Sequence, residues 1–149
     1  MKPKSQPNKI DKERDPSDHP PLASATVSAG FPSPADDYLD GGLDLNELLI
    51  TRPAATFFVR ARGNSMSGDR SAINDGDLLI VDRSLEANNG AIVIAVVDGE
   101  LTVKRLRRAH GQVELLAANP AYPAICFGPD DNNNNCEIWG VVTCVIHQL

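Results

Sequence analysis

Two residues of this chain could together do chemistry: a serine on a turn and a lysine in the middle of a strand-like segment. Ser65 follows the apolar run TFFVR (56–60) and stands in the sequence GNSM, where Gly63 permits an unusual φ and a close backbone approach. Gly, Asn and Ser are also ordinary turn formers, so Ser65 is either a turn residue or a nucleophile held on a rigid corner. The second interpretation requires a base elsewhere in the chain.

Lys104 is the candidate base. Residues 30–149 use arginine at every basic position except this one. In GELTVKRLRR, the alternation of a strand puts Thr102, Lys104 and Leu106 on one face. Such a lysine is either an exposed strand residue or a general base, because a desolvated lysine can lose its proton whereas an arginine cannot.

The histidines and cysteines suggest no alternative site. The three histidines stand at positions typical of exposed side chains, so a Ser-His-Asp triad lacks a well-placed histidine. The three cysteines form no C-x-x-C or Cys/His spacing, so we expect free thiols that pack as small apolar residues, without zinc or another cofactor. These residues are His19, His110 and His147, and Cys126, Cys136 and Cys144.

The charge distribution argues against direct nucleic-acid binding. Residues 1–29 hold five Lys/Arg and four Asp/Glu, whereas residues 30–149 hold nine and sixteen. The second part lacks the clustered basic residues that bind a phosphate backbone, so any nucleic-acid connection is expected through a partner protein. The sequence has no run of eighteen apolar residues and no signal-peptide h-region. We therefore expect no membrane contact and a cytoplasmic location.

Composition divides the chain at about residue 34. Residues 1–34 hold seven of the eleven prolines, and the first 21 combine mixed charge with little to bury. This composition predicts a flexible N-terminal arm over residues 1–34. Residues 35–149 are long enough for a real core and are predicted to form one domain.

The residues after position 43 predict one short helix and then seven strands. DLNELLI (44–50) is typical of a helix that Asp44 and Glu47 cap and that ends before Pro53. Asp98 and Gly99 predict a two-residue hairpin. Seven short strands at regular spacing predict a compact, mostly antiparallel β domain with crossing sheets. The strand-like runs are TFFVRAR, DLLIVD, AIVIAVV, ELTVKRL, QVELLAA, AICF and IWGVVTCVIH.

Three motifs, in this order, resemble those of the LexA-like peptidases, which are serine–lysine self-cleaving proteins. The motifs are GNSM (63–66), DGDLLIVD (75–82) and DGELTVKRL (98–106). A bond between a small residue and glycine in the linker is also typical of the family, and here it joins Ala29 and Gly30. The segments AGFPSPADDYLDGGLDLNELLI and GVVTCVI are similar to the UmuD-type branch, which has no helix-turn-helix domain ahead of this bond.

The resemblance implies a role for each of these residues. Ser65 would be the nucleophile, Lys104 the general base, and the bond between Ala29 and Gly30 the one that is cut. The backbone N–H groups of Ser65 and Asn64 would form the oxyanion hole, and no cofactor or metal would be needed. Two departures stand out: Asn64 occupies a position where many relatives have Asp, and SGDRSAIN lengthens the loop over residues 67–74.

The same resemblance implies partners. UmuD-type proteins form homodimers, and the RecA filament on single-stranded DNA promotes their cleavage in the SOS response to DNA damage. The shortened body then acts with a UmuC-like translesion DNA polymerase of the Y family. These partners are expectations that the resemblance supplies, not features of the composition.

Other interpretations of the sequence stay open. One is a non-enzymatic β interaction module in which Ser65 and Lys104 are incidental. Another is the peptidase domain of a truncated LexA-type or phage-type repressor. A bacterial signal peptidase uses a similar dyad, but the lack of a membrane anchor argues against that class.

Overall fold

The computed structural model describes residues 19–23, 26–31, 39–68, 72–128 and 135–149. The flexible arm was predicted over residues 1–34, and residues 1–18, 24–25 and 32–34 of that arm lie outside the described ranges. The chain divides into two units, Met1–Leu48 and Leu49–Leu149.

The first unit contains a small antiparallel ladder. Strand β1 (Pro21–Ala23) pairs with strand β2 (Leu39–Gly42), and the backbone N–H of Leu43 donates to the carbonyl of Pro20 at 2.8 Å. Strand β1 was not predicted, because three residues that include a proline are too few to show a period of two. The residues around the predicted cleavage site lie between these two strands in the chain.

The predicted short helix is confirmed as α1 (Leu45–Leu49). The Asp44 carboxylate caps it, with Oδ1 accepting from the backbone N–H of Asn46 at 2.9 Å and of Glu47 at 3.4 Å. An acidic cap satisfies N–H groups that have no partner within the helix. A short 3₁₀ turn at Pro53–Ala55 then leads into the sheet.

The second unit is built on one antiparallel sheet of seven strands: β3 (Thr56–Arg60), β4 (Leu78–Asp82), β5 (Ile92–Val97), β6 (Glu100–Ala109), β7 (Gln112–Leu116), β8 (Ile125–Phe127) and β9 (Cys136–Ile146). Their order in the sheet is β3-β4-β9-β5-β6-β7-β8. The prediction of a mostly β, antiparallel fold is confirmed, and each of the seven predicted runs contains or overlaps a strand. Asp98 and Gly99 form the tight turn of the β5–β6 hairpin, with φ values of 50° and 81°.

Two apolar clusters form the core of the second unit. One includes Met66 and Ile73, from the segment between β3 and β4, packed with Leu79. The other includes Leu106 of β6 and Leu115 of β7, both completely buried. Asn64 and Ser65 are therefore one or two positions away from the buried Met66, and Lys104 is two positions away from the buried Leu106. No helix within the described ranges is long and apolar enough to cross a membrane.

Candidate active site

The segment that carries Ser65 connects β3 to β4 and is here called the serine loop. Backbone hydrogen bonds join its two ends. The backbone N–H of Ala61 donates to the carbonyl of Asp77, and that of Gly76 donates to the carbonyl of Ala61, both at 2.8 Å. Gly63 has a φ of 89°, which favours glycine, and its N–H donates to Asp75 Oδ1 at 2.7 Å. These hydrogen bonds hold the start of the serine loop beside its end, where the chain leaves β3 and enters β4.

Core packing and local hydrogen bonds hold the turn at Ser65. The next residue, Met66, is 2% exposed and packs in the core with Ile73. The carbonyl of Asn64 accepts from both the backbone N–H and the hydroxyl of Ser67, at 3.2 and 2.8 Å. Ser65 itself is half-buried. The corner inferred from GNSM is thus a restrained turn with its serine partly open to solvent.

The backbone N–H groups of Asn64 and Ser65 donate to no residue in the described part of the chain. Unsatisfied, fixed N–H groups beside a hydroxyl can donate to an oxyanion that forms there. Their assignment as an oxyanion hole stays a prediction.

Lys104 lies on the buried face of β6. It is 6% exposed, and Leu106, which the alternation placed on the same face, is completely buried. Desolvation by this burial lowers the pKa of the Lys104 ammonium below its ordinary value. Among the described residues no carboxylate forms an ion pair with it. The surroundings of this lysine thus favour the uncharged amine more than those of an exposed strand lysine.

Ser65 and Lys104 line the same open groove, whose volume is about 570 Å³. Ser65 also lines a second groove of about 410 Å³, which shares Arg62, Leu101 and Thr102 with the first. The two grooves therefore adjoin at the serine. The remaining residues of the first groove are Gly63, Asn64, Val97, Asp98, Glu100, Tyr122 and Ile125.

The predicted cleavage site lies in the first unit. Ala29 and Gly30 are both exposed, and the backbone N–H of Gly30 hydrogen-bonds to Ser28 Oγ at 3.3 Å. Val27 and Phe31 on either side are 95% and 91% exposed. No side chain within this stretch shields the bond.

A buried carboxylate at the end of the serine loop was missed by sequence reasoning. Asp77, 2% exposed, hydrogen-bonds to His147 Nδ1 at 2.6 Å. The hydrogen bond from the Asn74 backbone N–H lowers the pKa of Asp77; desolvation opposes this effect, and the hydrogen bond and charge of His147 add to it. The hydrogen bond between Asp77 and His147 stabilises the end of the serine loop, directly before β4. None of His19, His110 and His147 lines either groove beside Ser65, in line with the sequence interpretation.

The three cysteines are free, as the sequence suggested. Cys136 packs against the second apolar cluster, and burial raises the pKa of its thiol. Cys126 is exposed, so the expectation that all three pack as apolar residues is wrong for this one.

The family model that matches this chain is described as Peptidase S24-like, and it covers residues 21–143. The chain belongs to the Peptidase S24-like family. The matched region contains the serine loop, Lys104 and the segment around Gly30, so it includes every candidate site residue.

Similar proteins agree with this assignment. The chain is 48% identical to Protein SamA of Salmonella typhimurium, over 86% of this chain and 85% of that protein. It is 47% identical to Protein ImpA of Escherichia coli, over 86% and 83% of the two chains. It is 44% identical to the LexA repressor of Delftia acidovorans over 70% of this chain, but only 46% of that repressor is covered.

These matches confirm the predicted resemblance to the UmuD-type branch of the LexA-like proteins. Coverage is high with the short relatives and extends over less than half of the repressor. At the level of the family, the protein is a self-cleaving serine peptidase associated with SOS mutagenesis.

Proposed function

We propose that this protein cuts its own bond between Ala29 and Gly30, with Ser65 as nucleophile and Lys104 as general base. One observation carries the proposal: a buried lysine without an ion-pair partner in the described residues lines the same groove as a serine on a restrained turn. Burial favours the uncharged amine, which is the form that can accept a proton.

The reaction follows from these two groups. Ser65 Oγ attacks the carbonyl carbon of Ala29 while the Lys104 amine takes the hydroxyl proton. The N–H groups of Ser65 and Asn64 stabilise the oxyanion of the tetrahedral intermediate. Collapse breaks the C–N bond, and Lys104 returns its proton to the leaving amine of Gly30. Water then hydrolyses the ester between Ala29 and Ser65.

The site acts as a switch more than as a turnover enzyme, because each chain carries one substrate bond. The lysine loses its proton most readily when the arm fills the groove and excludes water. While the groove is open to solvent, water stabilises the charged amine, so less of the lysine is in the form that accepts a proton and the protein is latent.

We also infer the partners from the family branch: a second copy in a homodimer, a RecA filament on single-stranded DNA, and a UmuC-like Y-family polymerase, all in the cytoplasm.

Adding RecA, single-stranded DNA and ATP should accelerate cleavage at neutral pH, whereas RecA without DNA should not. Residues 30–149 should co-elute with the polymerase in size-exclusion chromatography, and light scattering should give twice the chain mass. Unchanged cleavage with the filament would remove RecA from the scheme.

Gly30→Glu should block self-cleavage while the fold and the dyad stay intact. A Cβ built at Gly30 meets no atom within 4 Å, so the substitution does not disturb the described structure. A charged side chain beside the scissile carbonyl cannot enter a closed groove without losing its hydration. Mass spectrometry after incubation at alkaline pH measures the effect.

Gly41→Glu is the matched control. A Cβ at Gly41 also meets nothing within 4 Å, and the residue lies in the same unit but away from the bond. This variant should be cut normally. If Gly30→Glu is processed like the parent, the bond has been assigned to the wrong place.

A further inference from the structure

The loop 117–124, between β7 and β8, contacts both members of the proposed dyad. The backbone N–H of Asn119 donates to the carbonyl of Ser65 at 2.9 Å, and its side-chain Nδ2 lies 3.5 Å from the carbonyl of Asn64. Three residues later, the ring centroid of Tyr122 lies 5.4 Å from Nζ of Lys104. One short loop thus reaches the serine turn through its backbone and the lysine through an aromatic face.

The spacing between these two contacts is fixed within the loop. The Asn119 side chain accepts from the backbone N–H of Ala121 at 3.0 Å, and its carbonyl accepts from that of Tyr122 at 3.1 Å. Pro120 lies within this turn and Pro123 follows it, and both restrict the backbone. The position of the Tyr122 ring is therefore coupled to the position of the Ser65 backbone.

We propose that Tyr122 is a positioning residue: its ring face holds the Lys104 amine in the groove of Ser65, while Asn119 ties the same loop to the serine turn. This inference rests on the proposed dyad. It adds a residue that touches neither the scissile bond nor the serine hydroxyl.

The ring acts on Lys104 in two opposite ways. Its negative face attracts the ammonium, which favours the charged form. Its bulk covers the amine and keeps water away, which favours the neutral form. The other charged groups of the groove are Arg62, from the serine loop, and Asp98 and Glu100, from the β5–β6 hairpin. These three stay unchanged when only residue 122 is varied.

Three variants separate the two effects. Tyr122→Phe keeps the ring, Tyr122→Leu keeps apolar cover without an aromatic face, and Tyr122→Ala removes both. Tyr122 is 45% exposed, so none of these changes empties the core. We expect the pKa of Lys104 to be unchanged in Tyr122→Phe and lower in Tyr122→Leu, because the ring face that attracts the ammonium is lost. In Tyr122→Ala it should lie above the Leu value, because water reaches the amine.

The pKa of Lys104 can be read without any cleavage. Proteins carrying Ser65→Ala and ¹³C-labelled lysine are titrated by NMR, and the Lys104 signal is the one that Lys104→Met removes; the other four lysines lie within residues 1–12. If the pKa of Lys104 is the same with Tyr122 present, in Tyr122→Leu and in Tyr122→Ala, the proposal is overturned. A parent protein that never cuts itself would instead defeat the dyad and leave this titration readable.

With Ser65 restored, the pH of half-maximal cleavage should follow the same order among the variants. A purely structural role for Tyr122 would lower the maximal rate or the melting temperature and leave that pH where it is. That result would also overturn the proposal.

Discussion

Ser65→Ala is expected to abolish self-cleavage and to leave the fold intact. The substitution removes the nucleophile, and loss of the nucleophile lowers the rate of a serine peptidase by on the order of 10⁶-fold. The Ser65 hydroxyl donates to no group in the described part of the structure, so its loss should change the free energy of unfolding by about 0.5 kcal/mol or less. Incubation at alkaline pH followed by mass spectrometry and thermal unfolding measures both quantities.

Ser67→Ala is the matched control for this experiment. Its hydroxyl donates to the carbonyl of Asn64 at 2.8 Å, so the change loosens the same turn without touching the proposed nucleophile. This variant should still cut itself. A Ser65→Ala protein that still cuts between Ala29 and Gly30 would show that Ser65 is not the nucleophile and return it to being a turn residue.

Lys104→Arg is expected to be inactive at every accessible pH, although it preserves the positive charge. A guanidinium stays charged in proteins and cannot accept the proton of Ser65. Lys104→Ala should be inactive as well, and it avoids fitting a larger group at a position that is 6% exposed. Cleavage rates across the pH range, with unfolding curves for both variants, measure the effect.

Arg107→Lys provides the control on the same strand. Arg107 forms an ion pair with Glu114, which a lysine can keep, so the conservative exchange should leave cleavage unchanged. An active Lys104→Arg protein would contradict the role of Lys104 as base, whatever the result at Ser65.

The seven strands of the second unit could be predicted because each carries its own local signal. Alternating or continuous apolar runs identify the strands, and the turn residues between them, such as Asp98 and Gly99, mark where each one ends. The cap at Asp44 is equally local. Strand β1 could not be predicted, since its three residues carry no periodic pattern.

Ser65 and Lys104 could be predicted as a candidate dyad because each also carries a local signal in the sequence. Ser65 stands on a recognisable turn, and Lys104 is the single lysine beyond the first 12 residues, in a strand whose alternation puts it on the same face as Leu106. The groove that both residues line could not be predicted from the sequence, because its shape depends on how the strands pair.

The supporting contacts were missed because they join distant parts of the chain. Asn119 meets Ser65 from 54 positions away, and His147 meets Asp77 from 70 positions away. The second contact exists because β9 pairs between β4 and β5, which brings the end of the chain beside the start of β4. No local pattern in the sequence encodes that strand order.

The pH dependence of unassisted cleavage, with the product masses measured at each pH, tests the central claim most directly. Only the uncharged amine of Lys104 accepts a proton, and low pH keeps it charged. Since burial lowers its pKa, the rate should rise with pH and level off near that lowered value, below the ordinary lysine range. The products should be residues 1–29 and 30–149. A rate that is flat between about pH 7 and 10, or a cut at another bond, would contradict the account.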